Sequence, residues 1–324
     1  MDNIWGSMGQ YQKITWGWQI AVYLFLAGLS AGALIAAVLT KWKTGKDSGY
    51  DGLTKAGALL AMPSISAGLG LLIFDLGKPL SFWLLMIHFN LNSIMSVGVI
   101  LLSLHSLLTT VFAVIIFRKE LSHSSLTAWI IKPFAFVLDF VEGFGRWFDY
   151  LMLAIAVCIA AYTGFLLSVL VAKPLLNVAV LPLLFLVSGI SSGLAAAIFL
   201  ALLFFKQDIA AANLKALLRI DGRMIPVEML VLFTLFAGLY NMGGHYSEIA
   251  LQAISIGIWA KVLWIGIVGL GLFTPLLLTS SLHSYENSSS EPVPTARILL
   301  NCTLVLLGVI LVRFYVLYAG QTFI

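Results

Sequence analysis

Six side chains in this sequence have the types and placement to do chemistry. Tyr23, Tyr162 and Arg313 stand inside long apolar runs, Asp75 ends one, and Asp221 and Glu228 lead into another. An ionisable group in a membrane-length apolar run is costly and by default marks a function. Phenols, a carboxylate and a guanidinium together suit a ring whose two hydroxyls leave as protons. The phenols orient the hydroxyls, the carboxylate accepts protons, and the guanidinium stabilises developing negative charge. A quinol is such a ring, and Tyr23, Asp75, Tyr162 and Arg313 are the residues expected to surround it. Asp221 and Glu228 form a second acidic set toward the opposite face of the membrane, the pattern of a proton path.

Each residue also has a plainer role open to it. Asp75 can pair with Lys78 at the rim, and Asp221 can sit in a surface ion cluster with Arg219 and Arg223. Glu228 follows Pro226, which suits a first helical position, so it can serve as an acid at a helix N-terminus. Tyr162 and Tyr318 can be interfacial belt residues. Arg313 is harder to explain away, because its charge must be paired or hydrated inside the protein.

These groups need a scaffold that crosses a membrane. The run Trp16–Leu39, WGWQIAVYLFLAGLSAGALIAAVL, holds 24 residues without a charge. At ~1.5 Å per residue a helix of that length crosses a hydrocarbon core of ~30 Å. Trp16 and Trp18 open it at the depth where amphipathic rings settle, and Gly28 and Gly32 give it a face that another helix can approach closely. Eight such spans are read, at about 16–40, 53–74, 93–117, 150–171, 178–205, 225–243, 252–281 and 297–319. Only the segment 118–149 is long enough to hold further structure between spans. Within it, residues 129–148 read as an amphipathic helix in the interface plane, with Ile130, Phe134, Val137, Val141 and Phe144 on one face and Lys132, Asp139, Glu142 and Arg146 on the other.

Composition agrees. Of 324 residues 61% are hydrophobic and 10% charged, against roughly 25% charged in soluble domains. The mean hydropathy is +1.03. The chain is thus read as an all-α polytopic membrane protein. Its net charge of +4 comes from basic residues clustered between spans, which does not point to nucleic acid. Thirteen Lys/Arg fall in loops on one side against Lys13, Lys78 and Lys173 on the other. The positive-inside rule then puts both termini outside. The opening MDNIWGSMGQYQK is polar and not basic, so no cleaved signal peptide is expected.

The chain also repeats itself. FLAGLSAGALIAA (25–37) matches FLVSGISSGLAAA (185–197), with Gly28 and Gly32 on Gly189 and Gly193. IFDLG (73–77) matches LYNMG (239–243), and AYTG (161–164) matches LYAG (317–320), all at offsets near 160. Two parallel four-helix halves are expected, 1–171 and 178–324. Parallel repeats occur in transporters, so an ion or solute transporter is the alternative reading.

Other redox chemistry has little to stand on. A di-haem site needs paired histidines on facing helices, and of the five histidines only His105 is mid-span. Cys158 and Cys302 are too few for an iron–sulfur cluster. No P-loop, HExxH, CxxC or nucleophile elbow is present.

With WGWQIAVYLFLAGLSAGA (16–33), FDLGKPLSFW (74–83), AYTGFLLS (161–168), KPLLNVAVLPLLFLVSGISSGLA (173–195) and LVRFYVLYAGQ (311–321) in view, the chain resembles the NrfD-like membrane subunits, the family that includes the polysulfide reductase membrane subunit. The resemblance runs over nearly the whole chain. It implies a haem-free protein of two four-helix bundles with no iron–sulfur cluster of its own. It implies menaquinol or ubiquinol bound near the outer side of a bacterial inner membrane, with both termini periplasmic. Electrons would pass to an iron–sulfur subunit and on to a molybdopterin catalytic subunit, of polysulfide, sulfur or thiosulfate reductase type. The family's functional tyrosines, acids and arginine map onto Tyr23, Asp75, Tyr162, Asp221, Glu228 and Arg313.

Overall fold

Gly32 and Gly193 bring two helices into backbone contact, and the other helices are arranged round that contact. The computed structural model describes residues 16–44, 49–75, 79–87, 90, 92–123, 135–288 and 294–323, the side chains of 85 and 282–288 aside. Among the described residues eight helices are long and apolar enough to cross a membrane: α1 (Trp18–Lys43), α2 (Gly52–Asp75), α3 (Ile94–Ile116), α4 (Arg146–Ser168), α5 (Leu181–Phe204), α6 (Ala211–Met242), α7 (Gly257–Ser281) and α8 (Thr295–Thr322). Every regular element among the described residues is helical, so the expected all-α class and span count are met.

Hydropathy does not say which helix is central. At 2.3 and 2.2, α1 and α5 are no more apolar than α3 at 2.4, yet 78% and 72% of their apolar windows are buried against 28–50% for the other six. Small residues decide the matter. A β-carbon on Gly28 would stand 3.3 Å from the Gly189 Cα, and one on Gly32 would meet the Gly189 carbonyl and stand 2.9 Å from the Gly193 Cα. Gly28 faces Gly189 and Gly32 faces Gly193 in the same order, so α1 and α5 run parallel where they meet. Lipid offers no hydrophobic drive between helices, so close packing of this kind holds them together.

Round this pair the neighbours close two rings of four helices. One runs α1, α2, α3, α4 and back to α1, and the other α5, α6, α7, α8 and back to α5. Polar ties fix the ends. Asp51 accepts from the Leu53 N–H at 2.8 Å, from the Ala210 N–H at 3.0 Å and from Asn213 Nδ2 at 2.9 Å, so one carboxylate joins the start of α2 to the start of α6. Nearby, Asp149 accepts from Lys41 Nζ at 2.6 Å and Trp42 Nε1 at 2.8 Å. At the other end of the bundle, the Asp75 end, the Gln321 amide bonds the Trp16 N–H at 2.9 Å and the Trp16 carbonyl at 3.2 Å. The start of α1 thereby meets the end of α8.

Several expected boundaries are corrected. The sequence pattern puts the start of the sixth span at 225, but α6 begins at Ala211 and carries Pro226 in its interior. Lys215, Arg219, Asp221 and Arg223 lower the hydropathy of that first stretch without breaking the helix. Glu228 is therefore mid-helix and not in a first turn. The pattern puts the start of the seventh span at 252, but the chain breaks at Gly257, whose φ of +78° is a left-handed value that glycine adopts without strain. The segment before it forms a separate helix, Gly244–Ser255, and within α7 the residues Val262–Phe273 wind as a π-helix. Structure between spans is also not confined to 118–149: Pro79–Ser81, Leu84–Ile87 and Lys206–Asp208 form short helical turns. Of the segment expected to lie in the interface plane, a helix covers Ala135–Gly143 with Leu138 as its one buried residue, and Asp139 and Glu142 pair with Arg118 at 2.6 and 3.5 Å. Gly145, at φ +53°, turns the chain there, so Arg146 opens α4 and does not belong to the amphipathic helix. Ile130, Lys132 and Phe134, like Lys13, Lys46, Lys78 and His88, lie outside the described residues.

Candidate functional site

Tyr23 is fully buried on α1, its ring lying against Gly68 of α2, where a β-carbon would stand 3.4 Å from Cδ2. Its hydroxyl has no hydrogen-bond partner among the described residues. Tyr162 on α4, 6% exposed, comes close enough to interact with it electrostatically. The Tyr162 hydroxyl occupies the notch left by Gly98 on α3, where any β-carbon would collide with it. The first ring thus holds two phenols together toward the Asp75 end. A buried hydroxyl without a partner costs free energy, so this one is suited to a polar guest.

Arg313 on α8 is also fully buried. Its Nη2 donates to the Phe185 carbonyl at 3.1 Å, and the guanidinium lies 3.7 Å from the centre of the Phe185 ring. Both contacts come from one residue of α5, which suits a planar guanidinium. Nε and Nη1 have no hydrogen-bond partner among the described residues. Arg313 packs on α1 at Gly28, five residues from Tyr23, so it lies about 140° round that helix from the phenols. The charge it interacts with is Glu228 on α6, although no ion pair within 4.0 Å joins them among the described residues. Glu228 is 2% exposed and its Oε1 has no hydrogen-bond partner among the described residues. Asp221, 1% exposed, lies two turns along α6 and accepts a hydrogen bond from Ser191 of α5 at 2.8 Å. It is not in a surface ion cluster: Arg219 and Arg223 are exposed while its own carboxylate faces α5.

The six residues therefore fall into three places. Tyr23 and Tyr162 interact electrostatically in the first ring. Arg313, Glu228 and Asp221 form an electrostatic file in the second, Arg313 reaching back to α1. Asp75 is exposed on the last residue of α2, and Lys78, its expected partner, lies outside the described residues. Tyr318 is held in an aromatic stack, 5.5 Å from Trp259 and 6.0 Å from Phe314 between ring centres.

Sequence reasoning missed the side chains that hold these groups. Phe185 and Ser191 sit in the repeated small-residue motif, and Gly98 in the first turns of α3 reads as ordinary punctuation. His105 is fully buried on α3 and bonded to Ser30 of α1. Its mid-span position is the signal that marks it. A separate cleft of about 480 Å³ lies between α6, the 244–255 helix and α7. Its walls, among them Phe233, Phe236, Leu251 and Trp264, are apolar and include none of the six residues.

Eight apolar helices round an interior that keeps a guanidinium, two carboxylates and a pair of phenols make this a multi-pass membrane protein with a polar core. The matching sequences give that class a family. A family model described as Polysulphide reductase, NrfD matches residues 6–324, and the chain belongs to that family. It is 43% identical over 329 residues to the C subunit of the polysulfide reductase of Wolinella succinogenes, covering 100% of both sequences. It is 35% identical over 318 residues to protein NrfD of Escherichia coli, covering 97% of this sequence and 98% of that one. Over 257 residues it is 25% identical to an Hdr-like menaquinol oxidoreductase integral membrane subunit of Archaeoglobus fulgidus, covering 79% of this sequence and 56% of that one. The family is one of membrane subunits of oxidoreductase complexes.

Proposed function

We propose that this chain is the quinol-oxidising membrane subunit of a respiratory molybdoenzyme of polysulfide, sulfur or thiosulfate reductase type. The observation that carries the reading is the Tyr23 hydroxyl, buried in the first ring without a hydrogen-bond partner among the described residues and within electrostatic reach of Tyr162. A quinol offers hydroxyls to two phenols and an apolar ring to the helices that flank them. Oxidation releases two protons and two electrons. Tyr23 and Tyr162 orient the hydroxyls, and Asp75 at the rim takes protons outward. Arg313 stabilises negative charge from across α1, and Asp221 and Glu228 connect that region toward the Lys41 end. The electrons pass to an iron–sulfur subunit and then to a molybdopterin subunit on the outer side of a bacterial inner membrane. Menaquinol and ubiquinol both suit the site, and the menaquinol relative favours the first. The relatives' names are those of oxidoreductase subunits and do not favour a solute transporter.

The test is quinol oxidation by the intact membrane complex, wild type against Asp75→Asn and Arg313→Gln, with assembly of the partner subunits checked in each. Activity should collapse in both variants while assembly holds. Wild-type rates in both would remove the site assignment.

A further inference from the structure

His105 is buried and bonded in a way that leaves one nitrogen unused. Ser30 has a single hydroxyl proton, and it goes to the Ala61 carbonyl at 2.6 Å. The 3.0 Å contact between Ser30 Oγ and His105 Nε2 is therefore made by the imidazole N–H donating to the serine. That assigns the proton to Nε2 and the lone pair to Nδ1. Nδ1 has no partner among the described residues, in a residue with no exposed surface. A histidine serving only to join α1 and α3 would not need that buried, basic nitrogen left bare.

The second ring offers a comparison. Ser30 and Ser191 are 161 positions apart, the same offset that relates Gly28 to Gly189 and Gly32 to Gly193. The two serines are thus matching positions on the two central helices. Ser191 holds the Asp221 carboxylate at 2.8 Å, and Ser30 holds the His105 imidazole at 3.0 Å. In each ring a buried titratable side chain is bonded to the serine of that ring's central helix.

We infer that His105 is the proton-loading group of the first ring, the counterpart there of Asp221 in the second. The inference rests on the quinol reading, because a quinol hydroxyl is its proton source. Ser30 lies seven residues from Tyr23 along α1, and His105 lies seven residues from Gly98, which receives the Tyr162 hydroxyl. Both spacings are two turns, about 10 Å, and that is the distance the proton crosses from the phenols to the imidazole. A proton leaving the quinol passes the phenol hydroxyls and binds Nδ1, making an imidazolium. Both electrons go to the partner subunits and none passes through the ring. The imidazolium gives the proton up before the next turnover. The phenols are the titratable groups that share this interior. The charged groups of the ring lie at helix ends, with Lys41 bonded to Asp149, Lys55 bonded to Asp208, and Asp75 exposed.

His105→Gln tests this in the intact complex, because glutamine keeps a donor for Ser30 but cannot take up a proton where Nδ1 stood. Quinol oxidation should fall at least about a hundredfold, the low end for a lost acid–base group, with assembly and binding of a quinone-analogue inhibitor unchanged. The quinol-minus-quinone infrared difference spectrum of the wild-type complex should carry an imidazole protonation band that shifts with ¹⁵N-histidine labelling and is absent from His105→Gln. A wild-type spectrum without such a band overturns the inference even if the variant fails to assemble, and so does a variant that turns over at the wild-type rate. Either result, with Asp75→Asn and Arg313→Gln still inactive, leaves the quinol site standing and removes His105 alone. Full activity in those two variants removes the quinol site itself.

Discussion

Gly28 and Arg313 are fitted to one another across the α1–α8 contact: a β-carbon on residue 28 would stand 3.3 Å from Arg313 Nη2. That nitrogen is the one bonded to the Phe185 carbonyl. The glycine thus shapes the guanidinium's seat as well as the helix packing.

Gly28→Ala and Gly32→Ala should consequently fail in different ways. The first crowds a side-chain nitrogen and should lower quinol oxidation more than it lowers Tm. The second drives a β-carbon into the Gly189 carbonyl and should cost about 1–3 kcal/mol of stability as an overpacked contact. Thermal unfolding in detergent beside quinol oxidation separates the two. Equal effects on both readouts in both variants would show that Gly28 acts only through packing.

Gly98 and Tyr162 should be coupled. Gly98→Ala puts a β-carbon on the Tyr162 hydroxyl and the ring carbons next to it, and Tyr162→Leu removes all of those atoms. The double variant should be more stable than Gly98→Ala alone, with a coupling on the order of 1 kcal/mol, while quinol oxidation stays lost. Additive changes in Tm would contradict the contact.

Ser191→Ala leaves the Asp221 carboxylate buried without its donor and should cost about 1–3 kcal/mol. Adding Asp221→Leu removes the orphaned group and should recover most of that stability without recovering activity. A double variant no more stable than the single would mean that the hydrogen bond is not what the carboxylate needs.

Gln321→Ala unties the start of α1 from the end of α8. Two hydrogen bonds to the Trp16 backbone go, each worth about 1 kcal/mol net. Amide exchange near Trp16 should quicken while the middle of α1, held by α5, stays protected. Uniform loss of protection along α1 would place the cohesion of the bundle at its ends.

The spans are legible in the sequence because a membrane demands length and apolarity, and both are written residue by residue. The break at Gly257 is not, since the residues on either side of it are as apolar as the rest. The early start of α6 is hidden for the opposite reason: Lys215, Arg219 and Arg223 make a helix look like a loop. The six chemical residues stand out as polar groups in apolar company. Their grouping does not, because whether Tyr23 meets Tyr162 or Arg313 depends on how α1 is turned. That rotation is set by which neighbours its glycines admit. The role of Ser30 is hidden too, since a serine between two glycines reads as one more small residue.

The contact between α1 and α5 has a consequence in time. The ribosome makes α1 first, and α5 follows some 160 residues later, a delay on the order of ten seconds. Through that interval the surface bearing Gly28 and Gly32 is already in the bilayer and its eventual occupant is not. Bare small-residue surfaces of this kind pair with whatever helix passes. A nascent polypeptide stalled before Leu181 would hold that surface open indefinitely, making α5 the point in synthesis at which the protein stops being available to wrong partners.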